Sequence, residues 1–300
     1  MNLTEEYKRY LKIFSFLTSE AIRLSNNLPS IVSKRSQDIS NENFVFLSIY
    51  SKIILHANSI LSILPKDEPG QLYGSDNFKL LDFSSVASLT RDIIDADNTL
   101  FYLFTEKVDD SEREFRLLLF GLHGYMREKE FISLVGGLGH EKIIDDISTQ
   151  INIFLEKLEK NSFFRNLKVE IEQGTQRGKR AKEVFKRKDG RIENVKDALF
   201  LTRKEIIKIR GMDLPFFDAM YLFLSSHVHS YLMGTSLVGS SIVFDEKSLA
   251  FLLKTISNAA FYLCLAMIDT TILFPETEEK LNSESRRILQ SIIRGESFIL

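Results

Sequence analysis

Breaks in helical structure are rare along this chain, because its 300 residues include only five prolines and fourteen glycines. Proline interrupts a helix and glycine weakens one, so their scarcity favours long helices. Apolar residues recur at helical spacing over 4–28, 42–64, 84–106, 111–134 and 141–166. Short alternating or β-branched runs are limited to KVEIEQ and SSIVF. The sequence therefore predicts an all-α protein, a multi-helix bundle with a charged, partly irregular insert.

Local signals predict where several helices begin and end. Ser111 and Glu114 have the spacing of a capping box, which places a helix start at that point. The glycines of GGLG at 136–139 end this helix, and Asp213 with Pro215 opens the helix that follows them.

The composition is that of an ordinary globular protein, with 44% hydrophobic and 27% charged residues. A formal net charge of −2 gives no overall electrostatic reason to expect nucleic acid or an anionic membrane as partner. Cys264 is the single cysteine, which excludes an intrachain disulfide. The N-terminal sequence MNLTEEYKRYLKIF lacks the long apolar core of a signal peptide. We therefore predict a cytoplasmic protein.

The apolar helix predicted over 246–274 has three interpretations. Residues 257–274 are just long enough to span a bilayer, but Asp269 lies among them. A buried core helix is therefore preferred, and no membrane partner is predicted. Packing against a second copy of the chain, in a homo-oligomer, is the remaining alternative.

A shift in composition suggests how the chain is divided. Residues 168–196 are rich in charge and hold the run GTQRGKRAKEVFKRKDGR; we call them the basic insert. The predicted division is an N-terminal helical pair and loop, 1–78, and a main helical bundle, 79–300, that contains the basic insert. A single domain overall is the alternative.

The helix predicted over 84–106 has a polar side opposite its core side. Arg91, Asp95, Asn98 and Tyr102 fall together when residues are projected at 100° each. Arg91 and Asp95 are four residues apart and can pair directly. One interpretation is a solvated outer face. The other is a second packed face, which holds the Arg–Asp pair and Asn98 in a polar site.

The helix predicted over 111–134 carries Arg116, His123 and Arg127 beside its core stripe. Guanidinium groups bind oxyanions in bidentate fashion, so two arginines around a histidine suit a phosphate. Arg116 and His123 also have an R-x6-H spacing that resembles HEPN-type ribonucleases. That resemblance implies RNA cleavage by an Arg/His pair. Boundary residues that shield the edge of the core are the alternative.

The segment YLFLSSHVHSYLMG, 221–234, places two histidines and three serines in an apolar stretch. Burying an unpaired hydroxyl or imidazole costs about 1–3 kcal/mol, so such groups need partners. Tyr221, Ser225 and His229 share one helix face, which predicts a hydrogen-bonded network with a neighbouring helix. His227 projects away from His229, and no zinc-binding spacing is present. Neither a metal nor a cofactor is predicted.

Between 174 and 191 the basic insert has eight basic residues against two acidic ones. A solvated loop is one interpretation of this charge. Neutralising several phosphates of RNA or DNA is the other, with salt-dependent and sequence-independent binding. The predicted nucleic-acid-binding residues are Arg177, Lys179, Arg180, Lys182, Lys186, Arg187, Lys188 and Arg191.

Two segments resemble the signatures of an uncharacterised bacterial family of all-helical proteins. The first is SLTRDIIDADNTLFYLFTE, where Arg91 and Asp95 form an Arg-x3-acid motif. The second is MYLFLSSHVHS, where Tyr221, Ser225 and His229 form a Tyr/Ser/His motif. The resemblance implies that these residues converge on one interior polar site, and it implies no reaction.

Two functions follow from these observations. The first is a non-catalytic helical module that binds a partner, nucleic acid through the basic insert, in a stress or phage-defence setting. The second is a metal-independent HEPN-like ribonuclease or another phosphate-directed enzyme. In the second function His123 or His229 is the acid/base. Arg91, Arg116 or Arg127 stabilises phosphate charge, and Asp95 belongs to the same site.

Overall fold

The chain has an all-α, multi-helix fold, as predicted. The computed structural model describes residues 3–35, 41–65, 82–136, 140–173, 187–188, 191–192, 203–228 and 246–293. The chain forms two compact units: Met1–Thr105 with Gly211–Leu300, and Glu106–Arg210. The division into 1–78 and 79–300 stays a prediction.

The helices agree well with those predicted from apolar spacing. In chain order they are α1 Leu3–Arg35, α2 Asn41–Ile63, α3 Phe83–Leu100, a π-helical segment Phe101–Thr105, α4 Asp110–Val135, α5 His140–Lys160, α6 Ser162–Glu172, α7 Arg203–Ile209, α8 Leu214–Val228, α9 Glu246–Leu273, a 3₁₀ segment Pro275–Lys280 and α10 Ser283–Ile293. Among the described residues, strands are limited to β1 Arg187–Lys188 and β2 Arg191–Ile192, which pair antiparallel.

Helix α3 is central to the first unit, where it packs against α2, α8 and α9. The core there is rich in aromatic rings: the ring of Phe46 lies 5.4 Å from that of Phe104 and 5.1 Å from that of Phe274. Cys264 on α9 is fully buried, and burial raises the pKa of its thiol. Because three helices pack against α3, little of its surface is exposed, and its polar side also lies against a neighbouring helix.

In the part of the chain that the structure describes, α2 and α9 of the first unit are long and apolar enough to cross a membrane. The buried share of the most apolar window is 39% in α2 and 67% in α9. The core helices of soluble proteins pass the same test. The predicted cytoplasmic location, the absence of a membrane partner and the homo-oligomer stay predictions.

The second unit is built on the antiparallel pair of α4 and α5, with α6 packed against both. Its core is formed by Phe115, Leu118, Leu119 and Leu122 of α4 with Leu158, Phe164 and Leu167. Gly121 lets the two long helices approach closely, since a Cβ atom there would lie 2.7 Å from Cζ of Phe154. The close approach explains a glycine in mid-helix, where it costs about 1 kcal/mol relative to alanine.

Two boundaries in the second unit differ from the prediction. Helix α4 is capped by Asp109, whose carboxylate accepts a hydrogen bond from the Glu112 amide at 2.8 Å, so the predicted cap at Ser111 is wrong. The single helix predicted over 141–166 is two helices, because Asn161 interrupts it. The Asn161 side-chain oxygen accepts a hydrogen bond from the Phe164 amide at 3.0 Å and starts α6.

Candidate functional site

Helices α3 and α8 pack against each other, and each begins at an aspartate cap. Asp82 accepts a hydrogen bond from the Ser85 amide at 2.9 Å, and Asp213 accepts one from the Phe216 amide at 3.0 Å. The second of these is the start predicted from the sequence. Where the two helices pack, the polar side of α3 faces Tyr221 of α8.

A directional chain of hydrogen bonds joins Arg91, Tyr221 and Asp95. The Nε–H of Arg91 donates to the Tyr221 hydroxyl oxygen at 2.7 Å. The same hydroxyl donates to the Asp95 carboxylate, whose oxygens lie at 3.1 and 3.3 Å. Arg91 Nε and Asp95 Oδ2 are 3.9 Å apart, so the tyrosine hydroxyl links an arginine and a carboxylate that barely touch directly.

This polar side of α3 is a packed face rather than a solvated one. The side chain of Arg91 is 19% exposed and that of Asp95 is 36% exposed. The Arg91 guanidinium carbon lies 5.1 Å from the centre of the Tyr221 ring, which restricts the guanidinium further. Of the two interpretations of this helix, these contacts favour the second packed face, and the polar site itself stays a prediction.

Asn98 lies on the same face and is almost completely buried, with 3% of its surface exposed. Neither its side-chain oxygen nor its side-chain nitrogen has a hydrogen-bond partner among the described residues. The π-helical segment Phe101–Thr105 begins three residues later. Short π-helical turns inside helices are frequent at functional sites.

The remaining residues of the predicted site are only partly described. Ser225 lies one turn after Tyr221 on α8 and is half-buried. His229 lies outside the described residues. The structure therefore brings together Arg91, Asp95 and Tyr221, and the catalytic roles assigned to Arg91, Asp95 and His229 stay predictions.

His227, to which the sequence assigns no role beyond projecting away from His229, lies in an apolar environment. It is 4% exposed, and among the described residues neither ring nitrogen has a hydrogen-bond partner. Its ring lies 4.7 Å from that of Phe83 and 5.0 Å from that of Phe223. Desolvation by burial lowers the pKa of His227. In the sequence, Phe223 one helical turn earlier was the feature that could have indicated apolar surroundings for His227.

We expect the first unit to lose stability as the pH falls below about 6.5, the pKa of an unfolded histidine. Burial lowers the native pKa of His227, so the unfolded chain binds a proton that the native protein does not. The loss is at most about 1.4 kcal/mol per pH unit between the two pKa values.

Hydrogen exchange of α8 between pH 7.5 and 5 measures this dependence. His227→Leu should flatten it, whereas His140→Gln, a change in the second unit, should leave it unchanged. An unaltered slope in His227→Leu would show that another group controls the response. His56 is one such group, because burial lowers its pKa too, against the attraction of Asp92.

In the second unit, the predicted phosphate-binding arginines are paired with carboxylates. Arg116 is 4% exposed, and its Nη1 and Nη2 donate to Glu106 at 2.6 Å and Glu112 at 2.7 Å. Arg127 donates to Glu130 at 2.6 Å on the surface. His123 is half-buried on α4. The catalytic roles of Arg116 and His123 stay predictions, and a phosphate at Arg116 would have to displace two carboxylates.

Most of the basic insert lies outside the described residues. This applies to Arg177, Lys179, Arg180, Lys182 and Lys186. The other three predicted residues are in the short β1–β2 hairpin, where Lys188 pairs in register with Arg191 and Arg187 with Ile192. Of the two runs considered as strands, KVEIEQ is helical in α6 up to Glu172, and SSIVF is not described.

Within the described ranges, no three histidine, cysteine or acidic residues are grouped so as to hold a metal ion. The expectation that the protein uses no metal and no cofactor stays a prediction. Comparison with known protein families, with characterised proteins and with solved structures found no match to the chain. The resemblances to the bacterial helical family and to HEPN-type ribonucleases likewise stay predictions.

Proposed function

We propose that this protein is a non-catalytic helical module that binds nucleic acid through its basic insert. The observation that carries the proposal is the separation of charge along the chain. Eight basic residues against two acidic ones fall between 174 and 191, while the whole chain has a formal charge of −2. The rest of the chain therefore has a net acidic charge, and the insert is a basic segment suited to the nucleic-acid backbone.

The β1–β2 hairpin supports this assignment. Its register sets Lys188 opposite Arg191, and Arg187 precedes them on the same hairpin. The register therefore brings three basic positions of the insert together on one short hairpin. A nucleic-acid backbone supplies anions at regular spacing without demanding a base sequence.

The pairing of the arginines weighs against the ribonuclease alternative. A guanidinium that stabilises a transferring phosphate must be free to contact it. Both terminal nitrogens of Arg116 are instead engaged by Glu106 and Glu112. Arg127 is paired with Glu130. Binding, rather than cleavage, is therefore the function that the charges of this chain support.

Fluorescence anisotropy with a labelled RNA of about 20 nucleotides tests the proposal. We expect binding to weaken on the order of 10²-fold between 50 and 200 mM salt, since the insert can neutralise several phosphates. Changing Lys179, Arg180, Lys186 and Arg187 to glutamate should abolish binding at 200 mM salt and flatten the salt dependence.

The matched control changes four exposed lysines elsewhere, Lys142, Lys160, Lys208 and Lys254, to glutamate. Both variants change the net charge equally, so a loss confined to the insert variant identifies the insert as the binding surface. Equal losses in the two variants, or no RNA binding by the unchanged protein, would refute the proposal. RNA shortening by the unchanged protein would favour the ribonuclease instead.

A further inference from the structure

We propose that the outer edge of the Arg91 guanidinium is a binding site for the oxyanion of a small organic ligand, a phosphate or a carboxylate. The site lies between α3 and α8 in the first unit, apart from the basic insert. It is independent of the nucleic-acid proposal, because it uses other residues and another class of ligand.

The first argument is the way the guanidinium is held. Tyr221 and Asp95 both approach Arg91 from its Nε side, at 2.7 and 3.9 Å. The hydrogen bond of Arg91 to a described residue is made through Nε, and 19% of the side chain remains exposed. The other two nitrogens, Nη1 and Nη2, form the edge that binds a carboxylate or phosphate with two parallel hydrogen bonds.

The second argument is preorganisation. The Arg91 side chain is only 19% exposed, its Nε–H is hydrogen-bonded, and its guanidinium carbon lies 5.1 Å from the centre of the Tyr221 ring. Much of the conformational entropy that a free arginine loses on binding an anion is therefore already lost. An arginine that served only solubility would not need this restraint.

The third argument is two buried polar groups of α3 and α8 that lie about two helical turns to either side of the arginine. Asn98 lies two turns further along α3, and His227 lies near the start of α3 beside Phe83. Among the described residues, each is more than nine-tenths buried without a hydrogen-bond partner. Each such group costs about 1–3 kcal/mol, so the native state tolerates unsatisfied polar groups on both sides of Arg91.

Asp95 limits the charge that the site accepts. Its carboxylate offsets the arginine on the Nε side, although the Tyr221 hydroxyl donates to it and takes up part of its charge. The pair is thus neutral overall, and a small ligand with one oxyanion suits it better than a polyanion. This preference separates the site from a nucleic-acid surface.

Thermal unfolding at constant ionic strength tests the site, with inorganic phosphate and acetate as separate probes. The four-glutamate insert variant is used, so that phosphate bound by the insert does not contribute. We expect a saturable rise in Tm of about 3–6 °C at ten times the Kd of the better probe. The better probe then assigns the oxyanion as a phosphate or a carboxylate.

Arg91→Gln should abolish the rise, and Arg127→Gln, which alters an exposed arginine of the second unit, should leave it intact. Tyr221→Phe keeps the ring but frees the guanidinium, and should weaken binding about tenfold or more. The Tyr221→Phe variant also tests the site if the Arg91→Gln protein does not fold. An equal rise in Arg91→Gln or Tyr221→Phe, or no saturable rise with either probe, would overturn the proposal. Failure of RNA binding would leave it standing.

Discussion

Replacing Arg116 with alanine should lower the stability of the second unit by about 3–5 kcal/mol, the largest loss that we expect from a single substitution. The Arg116 side chain is 4% exposed, and those of Glu106 and Glu112 are 11% and 25% exposed. Removal of the arginine leaves two carboxylates facing each other with little water. Their mutual repulsion and lost hydrogen bonds both act against the native state.

Urea unfolding, with hydrogen exchange of α4 to locate the loss, measures this effect. Arg127→Ala is the matched control, because it removes the same side chain and an ion pair of the same length from the same helix. That pair is exposed, so we expect the control to cost less than about 1 kcal/mol. Similar costs for the two variants would mean that the Arg116 cluster contributes no more than a surface pair.

The Arg116 variant also bears on function. If the arginine belonged to a ribonuclease site, its removal would lower the rate of RNA cleavage in a protein that remains stable. If it is structural, the native state is weakened and RNA binding by the folded fraction is unchanged. A stable Arg116→Ala protein that had lost an RNA-cleaving activity would revive the enzymatic alternative.

Replacing Asn161 with alanine should cost about 2–4 kcal/mol, the second largest loss. The side chain is 4% exposed and serves three partners. Its oxygen accepts from the Phe164 amide, while its nitrogen donates to the Ser111 carbonyl at 3.0 Å and to the Glu114 carboxylate at 2.7 Å. Alanine removes both the N-cap of α6 and the hydrogen bonds that join Asn161 to the start of α4.

Two further variants separate these contributions in the same unfolding experiments. Asn161→Asp keeps the capping oxygen but sets a carboxylate against Glu114, so it should remain destabilising at pH 7 and recover as the pH falls. Asp213→Ala removes an exposed cap that has no comparable network, at a cost of about 1 kcal/mol. A stable Asn161→Asp protein at pH 7 would show that capping alone accounts for the effect.

The helices were largely predictable because their apolar spacing is regular and few residues interrupt it. The break at Asn161 was not, since asparagine is only a weak helix breaker. It stops the helix here because Ser111 and Glu114, some fifty residues earlier, receive its amide. Local sequence does not contain that information. The cap of α4 was misplaced for a simpler reason: Asp109 and Ser111 are both good caps, and they lie two residues apart.

The candidate site was predictable in part. Arg91 and Asp95 are paired by their spacing within one helix, but the approach of Tyr221, 130 residues later, depends on how α3 and α8 pack. Only the resemblance to the bacterial helical family grouped them beforehand. His227 was missed because helical projection placed it away from its polar neighbours. The aromatic rings that bury it come partly from α3, which a single-helix projection does not include.

Because Cys264 is fully buried, the reaction of its thiol reports transient opening of the protein. An alkylating reagent reaches this sulfur only in molecules where α9 has come away from its neighbours, because the side chain has no exposed surface. No second thiol competes, since the chain has one cysteine. Every alkylated molecule has therefore opened around α9 at least once. The rate of alkylation measures this opening without an introduced probe.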